Sequence, residues 1–328
     1  MTPEIIGDCT LHCGDALGVL KTMPSEPVQT CITSPPYWGL RDYGHEGQMG
    51  LENSPEEYVG KLVEVFREVR RVLRNDGTLW LNLGDTYAGR GNGGGNGWGF
   101  IGENKGRDTY KTKRDTPPGL KPKDLVGIPW RVALALQSDG WYLRSDIIWH
   151  KPNGMPESVT DRPTKAHEYI FLLSKNERYY YDANAIKEPA ISTSLRKFTD
   201  NGVDKQRGHG RKHSGFNGRY AENLARRGVP THRNARSVWT VATRPFPDAH
   251  FATFPIDLIK PCILAGAPAG GVVLDPFSGA GTAGMAALAH GRSYIGIELS
   301  PEYHRMAQRR ITKFSLQGQL FASSGAKT

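Results

Sequence analysis

Gly271-Val272-Val273-Leu274-Asp275-Pro276-Phe277-Ser278-Gly279-Ala280-Gly281-Thr282 is an apolar strand that runs into a glycine turn. Thr282 to about His290 then reads as a helix, with Gly291 as its natural stop. Ser293 to Leu299 reads as a second strand carrying Glu298 near its end. Strand, glycine turn, helix and strand make half of a nucleotide-binding β-α-β unit. Glycines in such a turn let the backbone come close to a ligand, and an acid ending the next strand suits a pair of ribose hydroxyls. The full Gly-x-Gly-x-x-Gly pattern is missing, so a dinucleotide is not the favoured ligand.

A second turn lies far upstream. The apolar segment Val28 to Ile32 reads as a strand and leads into Thr33-Ser34-Pro35-Pro36-Tyr37. Two prolines fix their own φ, donate no backbone hydrogen bond and restrict the residues before them. A stiff, extended turn is expected, with carbonyls pointing outward and unpaired, a hydroxyl on one side and an aromatic ring on the other. Such a turn can accept hydrogen bonds from an amino group while the ring stacks on a flat heterocycle. Taken alone it also fits a rigid loop with a packed tyrosine.

Together the two segments resemble the S-adenosylmethionine-dependent amino methyltransferases of DNA. Asp275 to Thr282 resembles that family's cofactor motif and Thr33 to Tyr37 its catalytic motif. The order, catalytic motif first, is similar to the β group. Gly14-Asp15 matches the family's adenine contact, Trp141 to Lys151 and Arg162 to Lys175 its later strands, and His250 to Pro255 the entry to its cofactor-lid helix. The resemblance covers most of the chain. It implies a Rossmann-like α/β fold, with a largely parallel sheet between helices, permuted motif order and a small basic insertion.

Composition sets the remaining bounds. A chain of 328 residues supports a sizeable core. Its apolar stretches are shorter than a membrane span. Met1 to Gly7 lacks a basic-then-apolar run, so no secretory leader is expected. Cys9, Cys13, Cys31 and Cys262 have no metal-like spacing and read as buried, reduced thiols of a cytoplasmic protein, and the family resemblance implies that it is prokaryotic or phage-encoded. No metal is expected, including at His209-x-x-x-His213.

The formal charge is +9, and Ala185 to Ser237 carries nearly all of it, with twelve Lys or Arg against four Asp or Glu. Such a segment attracts polyphosphate and releases counterions on contact. It equally fits a solvated basic loop, and the two readings are compatible, since such segments order on binding. Residues 185–237 are therefore expected to be a target-recognition insertion, and 1–184 with 238–328 the catalytic domain. Ala88 to Lys123 is glycine-rich and then basic, and reads as a flexible flap near a DNA channel.

Elsewhere strands and helices alternate. Thr10 to Cys13 reads as a strand. A helix starts at Ser54-Pro55-Glu56-Glu57 with Ser54 as N-cap, Pro55 at the first position and Glu57 completing a capping box. Tyr58, Leu62, Phe66, Val69 and Leu73 recur at helical spacing, and Asn75-Asp76-Gly77 is read as the helix end. Thr78 to Leu83 reads as a strand, Asp124 to Ser138 as a helix, and Trp141 to Trp149 as a strand. Tyr169 to Leu173 and Tyr179 to Tyr181 read as adjacent strands joined by Lys175-Asn176-Glu177.

The resemblance implies direct methyl transfer to an exocyclic amine, with the base flipped out of double-stranded DNA. Ser34 and the Pro35 carbonyl would accept the amino hydrogens and orient the nitrogen lone pair, Pro36 would stiffen the turn, and Tyr37 would stack on the base with Trp38 as a further wall. Asp275, Phe277, Gly279, Gly281 and Thr282 would surround the methionine portion of S-adenosylmethionine, Glu298 the ribose and Asp15 the adenine, with Phe251 and Pro255 nearby. Arg207, Arg211, Lys212, Arg219, Arg226, Arg227, Arg233 and Arg236 would contact DNA. Asp146, Lys151, Arg162, His167 and Glu168 lie near strand ends, compatible with a channel lining or with surface pairs. In this family Ser-Pro-Pro-Tyr usually accompanies cytosine N4 and Asp-Pro-Pro-Tyr adenine N6, so cytosine N4 is favoured. Adenine N6, a non-catalytic DNA-binding protein and a dinucleotide enzyme are the alternatives. A cognate restriction endonuclease is an implied partner, and a monomer or homodimer is expected.

Overall fold

The computed structural model describes residues 2–40, 44, 45, 47–89, 116, 119–190, 231–243 and 254–324. The chain divides into two compact units, residues 1–182 with 237–328, and residues 183–236.

The larger unit is built on a nine-stranded sheet. Its strands are β1 (Glu4–Ile6), β2 (Cys9–Cys13), β3 (Val28–Thr33), β4 (Leu73–Leu83), β5 (Tyr142–His150), β6 (His167–Ser174), β9 (Val238–Thr240), β10 (Val272–Asp275) and β11 (Ser293–Glu298). They lie in the order β1-β2-β11-β10-β3-β4-β6-β5-β9. Pairing is parallel from β2 through β11, β10 and β3 to β4, and between β5 and β9. It is antiparallel at β1–β2, β4–β6 and β5–β6. The expected α/β fold with a largely parallel sheet is what the chain forms. The order reverses at β3 and β10, because β3 leads outward to β4 and β10 leads the other way to β11. Ligands of open α/β sheets bind beyond the carboxyl ends of strands at such a switch point.

Helices α1 (Ala16–Thr22), α2 (Pro55–Val72) and α3 (Ile128–Ser138) pack side by side, as do α4 (Ile256–Gly266), α5 (Thr282–Ala289) and α6 (Pro301–Ser324). Fully buried Tyr58, Leu62, Val65, Phe66, Val69 and Val72 form the inner face of α2. Each such side chain contributes about 1.5–3 kcal/mol of transfer free energy. Arg71 ties α2 to α1 by donating to the carbonyls of Leu20 at 2.7 Å and Met23 at 2.9 Å.

The helix ends follow local chemistry. Ser54 Oγ accepts from Glu57 N at 3.2 Å, while Glu57 Oε2 accepts from Asn53 N at 3.1 Å, one residue before the N-cap. At the end of α5, Gly291 (φ +68°) donates to Leu288 O and Arg292 N to Ala287 O, both at 3.0 Å, the paired bonds of a Schellman stop.

Three sequence expectations are corrected. Helix α2 ends at Val72, and Asn75-Asp76-Gly77 lies inside β4. Val28 faces Leu73 and Thr30 faces Thr78, so the intervening β4 residues form a bulge instead of a helix stop. Asp124 to Gly127 precedes α3, where Leu125 bridges Tyr87 and Asp85 Oδ1 accepts from Gly127 N and Ile128 N. Tyr179 to Tyr181 is not a strand, because β6 already has β4 and β5 as neighbours and lacks a free edge.

In the smaller unit, β7 (Glu188–Pro189) pairs antiparallel with β8 (His232–Arg233). Apart from residue 116 and residues 119–123, the glycine-rich flap beyond Gly89 lies outside the described residues.

Candidate active site

Strands β3 and β10 are parallel neighbours, with Val273 opposite Thr30 and Leu274 opposite Cys31. Their carboxyl ends therefore bring the Ser-Pro-Pro-Tyr turn and the glycine turn together. Thr33 Oγ1 donates to Asp275 Oδ1 at 2.6 Å, and Phe277 N donates to the same oxygen at 3.0 Å. Burial pushes the Asp275 carboxyl from 3.8 up to about 7, against the lowering pull of these two hydrogen bonds. Asp275 is 1 % exposed.

The glycine turn is open on one side. Gly279 has φ +51°, and a Cβ there would meet nothing within 4 Å. Gly281 has φ +75°, and its Cβ would fall 2.9 Å from that of Ala307 on α6. Gly279 therefore faces free space and Gly281 a packed helix. Glu298 Oε2 accepts from Gly279 N at 2.7 Å and Oε1 from Ser300 N at 2.8 Å. Burial raises the Glu298 carboxyl above its usual range, and these backbone donors oppose the rise. Thr282 is buried at the start of α5, and Phe277 is half-buried. Asp15 is exposed and caps α1, its Oδ2 accepting from Gly18 N at 2.7 Å. Gly14 N bonds Glu298 O at 2.9 Å, which brings Asp15 beside the end of β11. Pro255 is the N-cap of α4. Phe251 lies outside the described residues. Sequence reasoning passed over Arg310, which reaches from α6 to the Ala280 carbonyl and Thr282 Oγ1.

The other turn is more tightly held than expected. The Pro36 carbonyl accepts from Tyr58 Oη at 2.8 Å, so it is not outward and unpaired. The Pro35 carbonyl accepts no hydrogen bond among the described residues. Ser34 Oγ donates to Tyr37 Oη at 3.3 Å. Tyr37 Oη lies 2.8 Å from Glu168 Oε2 and 3.1 Å from Asn82 Oδ1. Asn82 Nδ2 donates to Glu168 Oε2 at 3.2 Å and to Tyr169 O at 3.1 Å. Lys151 pairs with Glu168 Oε1 and lies 4.2 Å from the centroid of the Trp149 ring. Burial first, then the Glu168 charge, pushes the Tyr37 phenol well above its usual range. Gly84 makes room for the ring, since a Cβ there would sit 2.5 Å from Tyr37 Cε2.

Trp38 is corrected. It is 5 % exposed, belongs to the main apolar core and donates Nε1–H to Glu52 O at 3.0 Å. Its ring fills the interior beneath the turn and is not an open wall for a ligand. Lys151 and Glu168, left open by the sequence, pair with each other, and Glu168 reaches Tyr37. Arg162 pairs with Glu157 at 2.6 Å and covers the Tyr87 ring at 3.9 Å, while Asp146 is exposed. His167 packs edge-on against Tyr169. Asn82 was missed, although one buried amide in the apolar run Leu79 to Leu83 is a signal worth reading.

In the smaller unit, Arg233 and Arg236 both hold Glu188, with closest approaches of 3.1 and 2.7 Å. Arg207, Arg211, Lys212, Arg219, Arg226 and Arg227 lie outside the described residues. Among the described residues, no cluster of His, Cys, Asp and Glu is arranged to hold a metal ion, and no helix is long and apolar enough to cross a membrane.

Comparison with known proteins adds to this geometry. The profile of a family described as DNA methylase matches residues 28–309. The chain is 48 % identical over 309 residues to the type II methyltransferase M.Cfr9I of Citrobacter freundii, covering 94 % of this chain and 89 % of that protein. It is 47 % identical over 306 residues to M.SmaI of Serratia marcescens, covering 93 % and 91 %. Among solved structures, the PvuII DNA methyltransferase, described as cytosine-N4-specific, aligns with TM-score 0.55 at 20 % identity, covering 93 % of this chain and 90 % of that one. A DNA modification methylase of Thermus thermophilus, complexed with S-adenosyl-L-methionine, aligns with TM-score 0.55 at 23 % identity over 93 % of each chain. At these identities the two structures speak for the fold.

Proposed function

Because this chain belongs to the DNA methylase family, we propose that it transfers a methyl group from S-adenosylmethionine to the exocyclic N4 amine of a cytosine flipped out of double-stranded DNA. One observation carries the reading. An amino-accepting turn and a ligand-accepting glycine turn end neighbouring parallel strands, tied by the 2.6 Å bond from Thr33 to Asp275. A methyl donor on one turn and an amine on the other would lie next to each other, and such positioning supplies much of the acceleration of a direct transfer.

The residues present fit S-adenosylmethionine. Gly279 faces open space, the Glu298 carboxylate is preset by two backbone donors to receive hydroxyls, and buried Asp275 suits a cationic portion. Phe277, Gly281 and Thr282 shape the same turn, and Asp15 would face the adenine. Bound there, the ligand would supply an electrophilic methyl group. On the facing turn, Ser34 Oγ and the Pro35 carbonyl would accept the amino hydrogens and aim the nitrogen lone pair. Tyr37 would stack on the base, held by the stiffness of Pro35 and Pro36. The neutral Ser34 hydroxyl, in place of a carboxylate, favours cytosine over adenine. Flipping is required because the target nitrogen is inaccessible within a duplex.

The basic segment 185–237 is assigned to target recognition, and a cognate restriction endonuclease is the partner that the type II relatives suggest. The test is methyl transfer from S-adenosylmethionine to unmethylated genomic DNA, with product nucleosides separated by mass spectrometry. N4-methylcytosine is expected. N6-methyladenine would overturn the choice of base, and neither product, with ligand binding intact, would overturn the reaction.

A further inference from the structure

Three side chains form a directed hydrogen-bond chain. Ser34 Oγ donates to Tyr37 Oη at 3.3 Å, and Tyr37 Oη lies 2.8 Å from Glu168 Oε2. A phenol has one proton, and two oxygens compete for it. Asn82 Oδ1 is farther, at 3.1 Å, and is a neutral amide, whereas Glu168 is an acid whose ionised form accepts more strongly. The Asn82 amide is fixed the other way round, donating its N–H groups to Glu168 and to the Tyr169 carbonyl. Every donor in the chain therefore points from Ser34 toward Glu168. The far oxygen of Glu168 is held by Lys151, and this ion pair is 20 % and 16 % solvent-exposed at its two side chains. The chain thus runs from the amino-accepting hydroxyl to a carboxylate that touches water.

We propose that Ser34, Tyr37 and Glu168 form a proton wire in which Glu168 is the terminal acceptor for the proton released by the methylated amine. The inference rests on the amino-methyltransferase reading above. The nitrogen lone pair forms the N–CH3 bond while the S–CH3 bond breaks with its electron pair left on sulfur. The nitrogen then carries a positive charge and one hydrogen too many. That proton passes to Ser34 Oγ as the Ser34 proton passes to Tyr37 Oη and the Tyr37 proton to Glu168 Oε2. Serine and tyrosine finish as they began, glutamate finishes as the neutral acid, and it returns the proton to water at its exposed edge. An exocyclic amine that carries a methyl group and two hydrogens, with its lone pair spent, is a far stronger acid than a carboxylic acid, so the transfer runs downhill even with Lys151 stabilising the carboxylate. Neither hydroxyl need ionise fully at any stage, which suits a phenol held well above its usual range. Asn82 cannot serve as the terminal acceptor, because a carboxamide oxygen takes up no proton at neutral pH. Glu168 does not touch the substrate and acts through Tyr37, so it is a positioning and relay residue. The other titratable groups around it are Lys165, paired with Asp85 at 3.7 Å, His167 beside it on β6, and His150 opposite His167 on β5.

The test compares wild type with Glu168→Gln, Glu168→Asp, Tyr37→Phe and the Glu168→Gln/Tyr37→Phe double variant. It uses full-length protein, S-adenosylmethionine and unmethylated DNA. Glu168→Gln and Tyr37→Phe should each slow single-turnover transfer by about 100-fold or more, the lower range for loss of a proton acceptor. The double variant should be no slower than the worse single, since one wire is cut once. Glu168→Asp should recover part of the rate. The pH–rate profile of Glu168→Gln should differ in shape from that of wild type. Infrared difference spectra should show a protonated-carboxyl band in wild type during the turnover burst and none in Glu168→Gln. Affinity for S-adenosylmethionine should be unchanged in all variants. A Glu168→Gln rate within about twofold of wild type with the same pH profile would overturn the wire and leave Glu168 as an anchor for Tyr37. Additive losses in the double variant would overturn it equally. Absence of transfer by wild type would instead bring down the reading beneath it.

Discussion

Thr33 and Asp275 stand 242 residues apart in sequence and share a 2.6 Å hydrogen bond at the carboxyl ends of adjacent parallel strands. This bond joins the amino-accepting turn to the glycine turn, so the chemistry of either depends on the pairing of β3 with β10. It also gives a buried carboxyl a permanent donor, which a charged group at that depth requires.

The Asp275 carboxyl titrates near pH 7 in the folded chain against 3.8 for the ordinary group. Its folded value is raised, so its contribution to stability is fully present below about pH 4 and is lost as pH rises through about 7. Asp275→Asn should remove this loss, so that the ligand-free variant gains on wild type in chemical denaturation between pH 5 and about pH 8. Thr33→Val should act the opposite way at pH 8, lowering stability by about 1.5–3 kcal/mol, because the ionised Asp275 loses its side-chain donor. Urea titrations across pH check both.

Gly279 and Gly281 should respond differently to alanine. Gly281→Ala places a Cβ 2.9 Å from that of Ala307 in a left-handed conformation, which should cost about 2–4 kcal/mol in urea unfolding and shift the turn. Gly279→Ala carries only the left-handed cost of about 1–2 kcal/mol, because nothing stands within 4 Å. Its methyl projects into the space assigned to ligand, so S-adenosylmethionine affinity by calorimetry should fall by at least tenfold. An unchanged affinity would move the ligand off this turn.

Trp38 and Gly84 separate stability from chemistry. Trp38→Ala removes a core ring and should cost about 3–5 kcal/mol, seen as a lowered unfolding midpoint. Gly84→Ala drives a Cβ to 2.5 Å from the Tyr37 ring. It should displace Tyr37, lowering kcat while leaving S-adenosylmethionine affinity within about twofold.

Replacing residues 185–237 by a short Gly-Ser linker should leave S-adenosylmethionine affinity intact and abolish discrimination between DNA sequences. The salt dependence of DNA binding should also become shallower, as phosphate-contacting cations are lost. Filter binding at several salt concentrations and calorimetry together decide this, and loss of ligand binding would make the segment structural.

Read without its fold, the chain specifies those features whose backbone dihedrals are set within a few residues. Pro35-Pro36, the positive-φ positions Gly279, Gly281 and Gly291, and the Ser54 cap of α2 were all readable, because sterics and local hydrogen bonds act over one to five residues. The alternation of strands and helices gave the α/β class on the same footing. Which polar groups meet is a matter of long-range packing. Tyr37 reaches Glu168 across 131 positions and Asn82 across 45, through the order β3-β4-β6 and the register that sets Asn82 opposite Ile170. The same pairing absorbed Asn75-Asp76-Gly77 into a bulge, left Tyr179 to Tyr181 without a partner strand and turned Trp38 inward. Strand neighbours and register follow from how whole layers bury their apolar faces, a property summed over the chain and not carried by any short window of it.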